Sequence, residues 1–147
     1  MNRLNSLAES KTWAFAFAKT FQRPCVVLLD GDLGAGKTQV VRFFLEAMGV
    51  KNVASPTFAI HHEYSSPEGP IDHVDLYRVK SDEDLEATGF WDLFTKSLGL
   101  VFVEWADRLP TDVWPQQWQQ VHIRLSKVIG REEARDLAVA IKPPSPK

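Results

Sequence analysis

The chain has 147 residues, 44% of them hydrophobic and 24% charged, with a formal net charge of −2. That length suits one domain with a sizeable core, the composition excludes a disordered chain, and no apolar run reaches the roughly 18–20 residues that span a bilayer. Without a basic run, the chain is not expected to grip nucleic acid by itself.

Near the N-terminus, Ser6-Leu-Ala-Glu9 has the form of a capping box and predicts a helix to about Phe21. Leu7, Ala14, Phe17, Ala18 and Phe21 fall at helical steps and predict one buried stripe. Charges interrupt the apolar positions of "SLAESKTWAFAFAKTF", so no secretory signal is expected. Cys25 is the only cysteine, which fits a reducing compartment and hence the cytoplasm. "CVVLLD" (25–30) is apolar until its last residue, as a strand covered on both faces is. A glycine loop follows, then a helix with apolar residues at 40, 41, 44, 45 and 48 and Gly49 as its stop.

Farther on, "TFAIHHEY" and "IDHVDLYR" read as two strands of a hairpin around "SSPEGP". "SDEDLEATG" and "FWDLFTKSLG" predict two short helices, and "LVFVE" (100–104) a second fully apolar strand closed by a carboxylate. "QVHIRLSKV" and "ARDLAVAIK" flank "IGRE" as an antiparallel pair, and 142–147 is expected to be a flexible tail. The order predicts a single domain over 1–141, a three-layer α/β/α fold of the P-loop type. Its central sheet should be mostly parallel, with antiparallel edge strands.

The loop "GDLGAGKT" fits G-x-x-x-x-G-K-[ST] as Gly31, Gly36, Lys37 and Thr38, between a strand and a helix as that pattern requires. Gly31, Gly34 and Gly36 can take backbone angles closed to other residues, which turns successive N–H groups inward around a phosphate. The following helix adds the positive end of its dipole. Lys37 can reach the β- and γ-phosphates, and the Thr38 hydroxyl can ligate Mg²⁺. The nucleotide-binding set is therefore Gly31, Asp32, Leu33, Gly34, Ala35, Gly36, Lys37, Thr38 and Gln39. The N-K-x-D and D-x-x-G patterns of GTPases are missing, which favours ATP. A small-molecule kinase stays open as an alternative, because the glycines also fit its spacing; against it, the arginines are scattered rather than gathered in a lid.

A second Mg²⁺ contact calls for a carboxylate at a strand end near the loop. Glu104 is the first candidate and Asp75 the second. His73, Asp75 and Tyr77 alternate and so share one face of their strand, opposite Val74 and Leu76. His61 and His62 lie nearby, but no cysteine partner or H-x-x-x-H helix supports zinc. In "SPTF" (55–58), Pro56 extends Ser55, and the Thr57 hydroxyl could face the γ-phosphate as part of a switch. Trp105, directly after the strand-end Glu104, is placed at the mouth of the site, where it could report nucleotide state to a partner or pack the switch loop.

"LLDGDLGAGKTQ", "SPTF", "HVDLYR" and "FVEWAD", in this order, make the chain resemble the TsaE (YjeE) family over roughly residues 5–141. The resemblance implies a weak ATPase working with TsaB and TsaD to install threonylcarbamoyl on adenosine 37 of tRNA. TsaC supplies the activated intermediate, and the partners hold the tRNA. It implies that ATP hydrolysis resets or supports the TsaB–TsaD complex, with Glu104 as the Mg²⁺ carboxylate and Asp75 and Thr57 at catalytic and switch positions. Trp105 matches the family's aromatic after the glutamate. A binding module in which occupancy matters and hydrolysis does not remains a further alternative. The C-terminal strand pair matches the family weakly apart from Arg135.

Overall fold

In the computed structural model, which describes residues 2–50, 61–77, 79–87 and 89–145, a seven-stranded sheet carries layers on both faces. The strands are β1 (Asn2–Leu4), β2 (Cys25–Asp30), β3 (His61–Ser66), β4 (Gly69–Asp75), β5 (Leu100–Glu104), β6 (Gln119–Val128) and β7 (Arg131–Lys142). The α-helices are α1 (Leu7–Ala18), α2 (Lys37–Ala47) and α3 (Asp82–Ala87). Across the sheet the order is β1-β7-β6-β2-β5-β4-β3. The β6–β2, β2–β5 and β5–β4 pairs are parallel; β1, β7 and β3 pair antiparallel at the flanks. This is the predicted P-loop type of three-layer α/β/α fold.

The apolar runs of β2 and β5 occupy the middle because both of their faces are covered; every residue of either strand is buried. On one face, α1 and α2 pack an aromatic column in which Phe44 stacks on Phe102 with centroids 5.6 Å apart, with Phe21, Phe17 and Trp13 around it. The other face holds Val26, Leu28, Val74, Val101 and Val103 beneath Leu85, Phe90, Leu93, Trp114 and Trp118. Cys25 lies in the core on the α1 and α2 face, with its thiol pushed up to about 12 by burial, so it is no nucleophile.

Several local expectations change. Helix α1 stops at Ala18, although Phe21 still packs on the core. Leu7 is 48% exposed rather than part of the stripe, because it occupies the first helical position beside the cap. Ser6 Oγ accepts the Glu9 N–H, while the Glu9 carboxylate accepts the N–H of Asn5, one residue before the cap. The β3–β4 hairpin extends into "SSPEGP" until only Pro67 and Glu68 turn. "FWDLFT" forms a 3-10 helix, Phe90–Thr95, rather than an α-helix. β7 runs through Lys142, and the Ser145 N–H donates to the Gln116 carbonyl at 2.7 Å.

The register brings the carboxyl ends of the parallel strands level. Glu104 lies opposite Leu29 of β2 and Asp75 of β4, and Asp30 opposite Arg124 of β6. In an open α/β sheet this edge is where ligands bind.

Candidate nucleotide site

Gly31, Gly34 and Gly36 take φ of 151°, 80° and 102°, all in the region that favours glycine. A Cβ on Gly31 would lie 2.4 Å from the Leu125 carbonyl oxygen, so the loop also needs glycine there for space. Gly36 is the N-cap of α2 and has no side chain to hydrogen-bond that helix end. An uncapped N-terminus facing a loop of backbone amides suits an anion.

Lys37 is 4% exposed. Its ammonium donates to the carbonyls of Gly31 (2.5 Å) and Asp32 (3.0 Å). Burial lowers its pKa, opposed by Glu104, Asp75, Asp30 and Asp32. The same ammonium stands 4.1 Å from the Trp105 ring centroid, within cation–π range. Trp105 therefore lies over the loop lysine. It packs in turn on Tyr77 at 5.0 Å, and the Arg108 guanidinium lies over the Tyr77 ring at 5.6 Å.

Glu104 is 2% exposed. The Thr38 hydroxyl donates to its Oε1 at 2.7 Å, and His73 Nε2 lies 2.5 Å from its Oε2. Asp75 shares the cavity with Lys37, Thr38, Gln39, Tyr77, Glu104 and Trp105. Burial raises its pKa and the nearby Glu104 adds to this; the Tyr77 N–H, His73 and Lys37 pull the other way. Two oxygen donors in contact, the Thr38 hydroxyl and the Glu104 carboxylate, with a second carboxylate close by at Asp75, are the kind of donor set that a hard divalent cation takes.

The fold thus gathers Gly34, Gly36, Lys37, Thr38, Gln39, Asp75, Glu104 and Trp105 around one opening of about 240 Å³, with Leu33 on the rim at 67% exposure. Asp32 and Ala35 contribute loop carbonyls rather than side chains. Ser55, Pro56 and Thr57 lie outside the described residues. Among the described residues no group of three or more His, Cys, Asp or Glu could hold a metal.

Three contributors were not readable from spacing. Arg135 of β7 donates from Nε to the Ala35 carbonyl at 2.8 Å, pinning the loop from the far end of the chain. Alternation puts His73 on the polar face of its strand, but no spacing sets it against Glu104. Asp30 is in sequence only the end of a strand; its Oδ1 accepts the Asp107 N–H at 2.8 Å and its Oδ2 lies 2.6 Å from His122 Nε2. Burial acts to raise the Asp30 pKa, but those two bonds outweigh it and hold the carboxyl below its ordinary value.

A glycine loop between a buried parallel strand and an uncapped helix, facing a strand-end carboxylate, defines the phosphate-loop class of α/β proteins. Within that class, a family model described as "Threonylcarbamoyl adenosine biosynthesis protein TsaE" matches residues 4–135. The chain belongs to the TsaE family, whose place is in the biosynthesis of threonylcarbamoyladenosine in tRNA. It is 38% identical over 109 residues to the tRNA threonylcarbamoyladenosine biosynthesis protein TsaE of Rickettsia prowazekii, covering 73% of this chain and 74% of that one. The protein of the same name from Synechocystis is 36% identical over 110 residues, covering 73% and 70%. The crystal structure of YdiB from Bacillus subtilis superposes with a TM-score of 0.66 at 29% identity, covering 96% of this chain and 84% of that one. Among the described residues no helix is long and apolar enough to cross a membrane.

Proposed function

We propose that this chain binds ATP with Mg²⁺ and hydrolyses it slowly, using the cycle as a conformational switch that supports or resets a TsaB–TsaD complex modifying tRNA in the cytoplasm. The observation that carries this reading is the Thr38–Glu104 contact at the uncapped end of α2, with Lys37 beside it. Backbone amides of residues 31–36, the α2 dipole and Lys37 bind the phosphates. Thr38 and Glu104 would hold Mg²⁺, and His73 keeps Glu104 turned toward Thr38. Bound there, the cation would offset triphosphate charge. Asp75 orients the attacking water and receives its proton, a role that its raised pKa suits.

Ser55, Pro56 and Thr57 are the segment that the γ-phosphate orders and product release frees. Trp105, on the rim beside Leu33 and Tyr77, passes that state to the protein partners. The tRNA is reached through those partners, and TsaC is linked through the reaction alone.

The test is multiple-turnover formation of threonylcarbamoyladenosine on unmodified tRNA by TsaB, TsaC and TsaD, with this chain or its Lys37→Ala form. Turnover past the first cycle only with the parental chain is expected. Modification indifferent to the chain would overturn the reading. Free phosphate matching ADP, with no phosphorylated small molecule, separates it from a kinase. Repeated cycles sustained by a Glu104→Gln chain that cannot hydrolyse ATP would leave a binding module instead.

A further inference from the structure

We propose that Asp30, braced by His122, is a positioning residue of the nucleotide site: it fixes the turn that holds the Trp105 indole over Lys37. The inference rests on the nucleotide reading for its consequence but not for its geometry. Asp30 ends β2, one residue before the phosphate loop, and is 1% exposed. Its two oxygens have different partners. Oδ1 accepts the main-chain N–H of Asp107, and Oδ2 meets the imidazole of His122.

Asp107 lies in the 3-10 turn Ala106–Arg108, which begins at Trp105. Trp105 has φ of +59° and is the non-glycine residue with positive φ among those described. A bulky aromatic adopts the left-handed region only where its surroundings impose it. Two ties impose it here. The Trp105 N–H donates to the Leu29 carbonyl at 3.0 Å, and two residues on, Asp30 takes the Asp107 N–H. Both ends of the reversal are thus anchored on the last two residues of β2. With the second tie cut, the turn relaxes toward right-handed angles and the indole leaves Lys37.

His122 reaches Asp30 from β6 and borders a cavity of about 430 Å³ on the sheet face away from α2, with Leu28, Ala106 and Trp114. Its side chain is 42% exposed, so replacing it cuts the brace without opening the core. The positioning line runs from His122 through Asp30 and the Asp107 N–H to Trp105 and Lys37.

Fluorine NMR of the full chain carrying 5-fluorotryptophan tests the geometry without nucleotide. The sequence has five tryptophans, and the Trp105 resonance is the one lost in Trp105→Phe. Asp30→Ala and His122→Ala should each shift that resonance while Trp13 and Trp91 stay in place. Asp30→Asn, whose amide oxygen still accepts the Asp107 N–H, should restore it. A stationary Trp105 resonance in folded Asp30→Ala overturns the proposal; if that variant does not fold, a stationary resonance in His122→Ala does so.

A double-mutant cycle on the affinity for a fluorescent ATP analogue tests the consequence. Asp30→Ala and Trp105→Phe should each weaken binding by about 3–10-fold, the scale of a partly desolvated cation–π contact, and the double variant should lose no more than Trp105→Phe alone. Multiplying losses would show that Asp30 acts independently of Trp105 and overturn the proposal. If the parental chain binds no nucleotide, the function reading falls while the fluorine result still judges the geometry.

Discussion

Glu104 and Asp30 close neighbouring strands, both almost sealed from water and each paired with a histidine at 2.5–2.6 Å. What differs is the second partner. Glu104 accepts the hydroxyl of Thr38, a side chain that can rotate and bring its oxygen to a cation. Asp30 accepts a backbone N–H, which cannot rotate away as a hydroxyl can. The same carboxylate chemistry, one strand apart, meets a rotatable hydroxyl in one place and a fixed backbone N–H in the other. Which role a strand-end acid takes is set by what faces it, so residue type and position along a strand do not settle it.

The comparison breaks most visibly in turnover. Glu104→Gln should cut phosphate release by about 100-fold or more, since it removes a metal-binding charge at the transferring phosphate. Equal losses for Asp30→Asn would mean that both acids are ligands. Lys37→Ala should weaken ATP binding by about 10–100-fold, the cost of one charge-assisted contact, read by titration with a fluorescent analogue.

Stability should rank the other way. Asp30→Ala leaves the Asp107 N–H and the His122 ring without their acceptor and should cost about 2–4 kcal/mol in urea unfolding. Asp75→Asn should instead raise stability at neutral pH by about 0.5 kcal/mol while abolishing turnover, since it removes a carboxylate that burial and Glu104 disfavour.

The smallest effect is on pH dependence, and its sign differs between the two groups. The Asp30 carboxyl is held low when folded, so its stabilisation is complete above the unfolded value of about 3.9 and is lost as pH falls through the lower folded value. The Asp75 carboxyl is held high, so the gain from Asp75→Asn shrinks as pH falls through its raised folded value and is gone below the unfolded one. Unfolding curves of the parental chain and the two Asn variants from pH 3 to 7 would separate them.

What was legible in the sequence was local. "CVVLLD" and "LVFVE" became strands over the stated residues because a short apolar run without polar alternation suits a strand covered on both faces. The glycine loop was legible because its backbone angles demand glycine at fixed spacing. Glu104 and Asp75 could be placed at strand ends, and the parallel register brought them to the loop. Arg135 could not be placed there: it contacts Ala35 across 100 residues of chain, and no periodicity encodes such a meeting. Nor could β1, whose three residues pair at an edge where Arg3 meets Asp136. The His122–Asp30 bond fails to announce itself for the same reason, since each residue alone reads as a solvated strand position.

The Arg135 clamp has a consequence for the order in which the chain becomes competent. The loop it pins is made early, yet its stay arrives about a hundred residues later, which at roughly 5–20 residues per second is some 5–20 s of synthesis. Through that interval the nascent chain carries the glycine motif without its Arg135 contact, which forms only once β7 has been made.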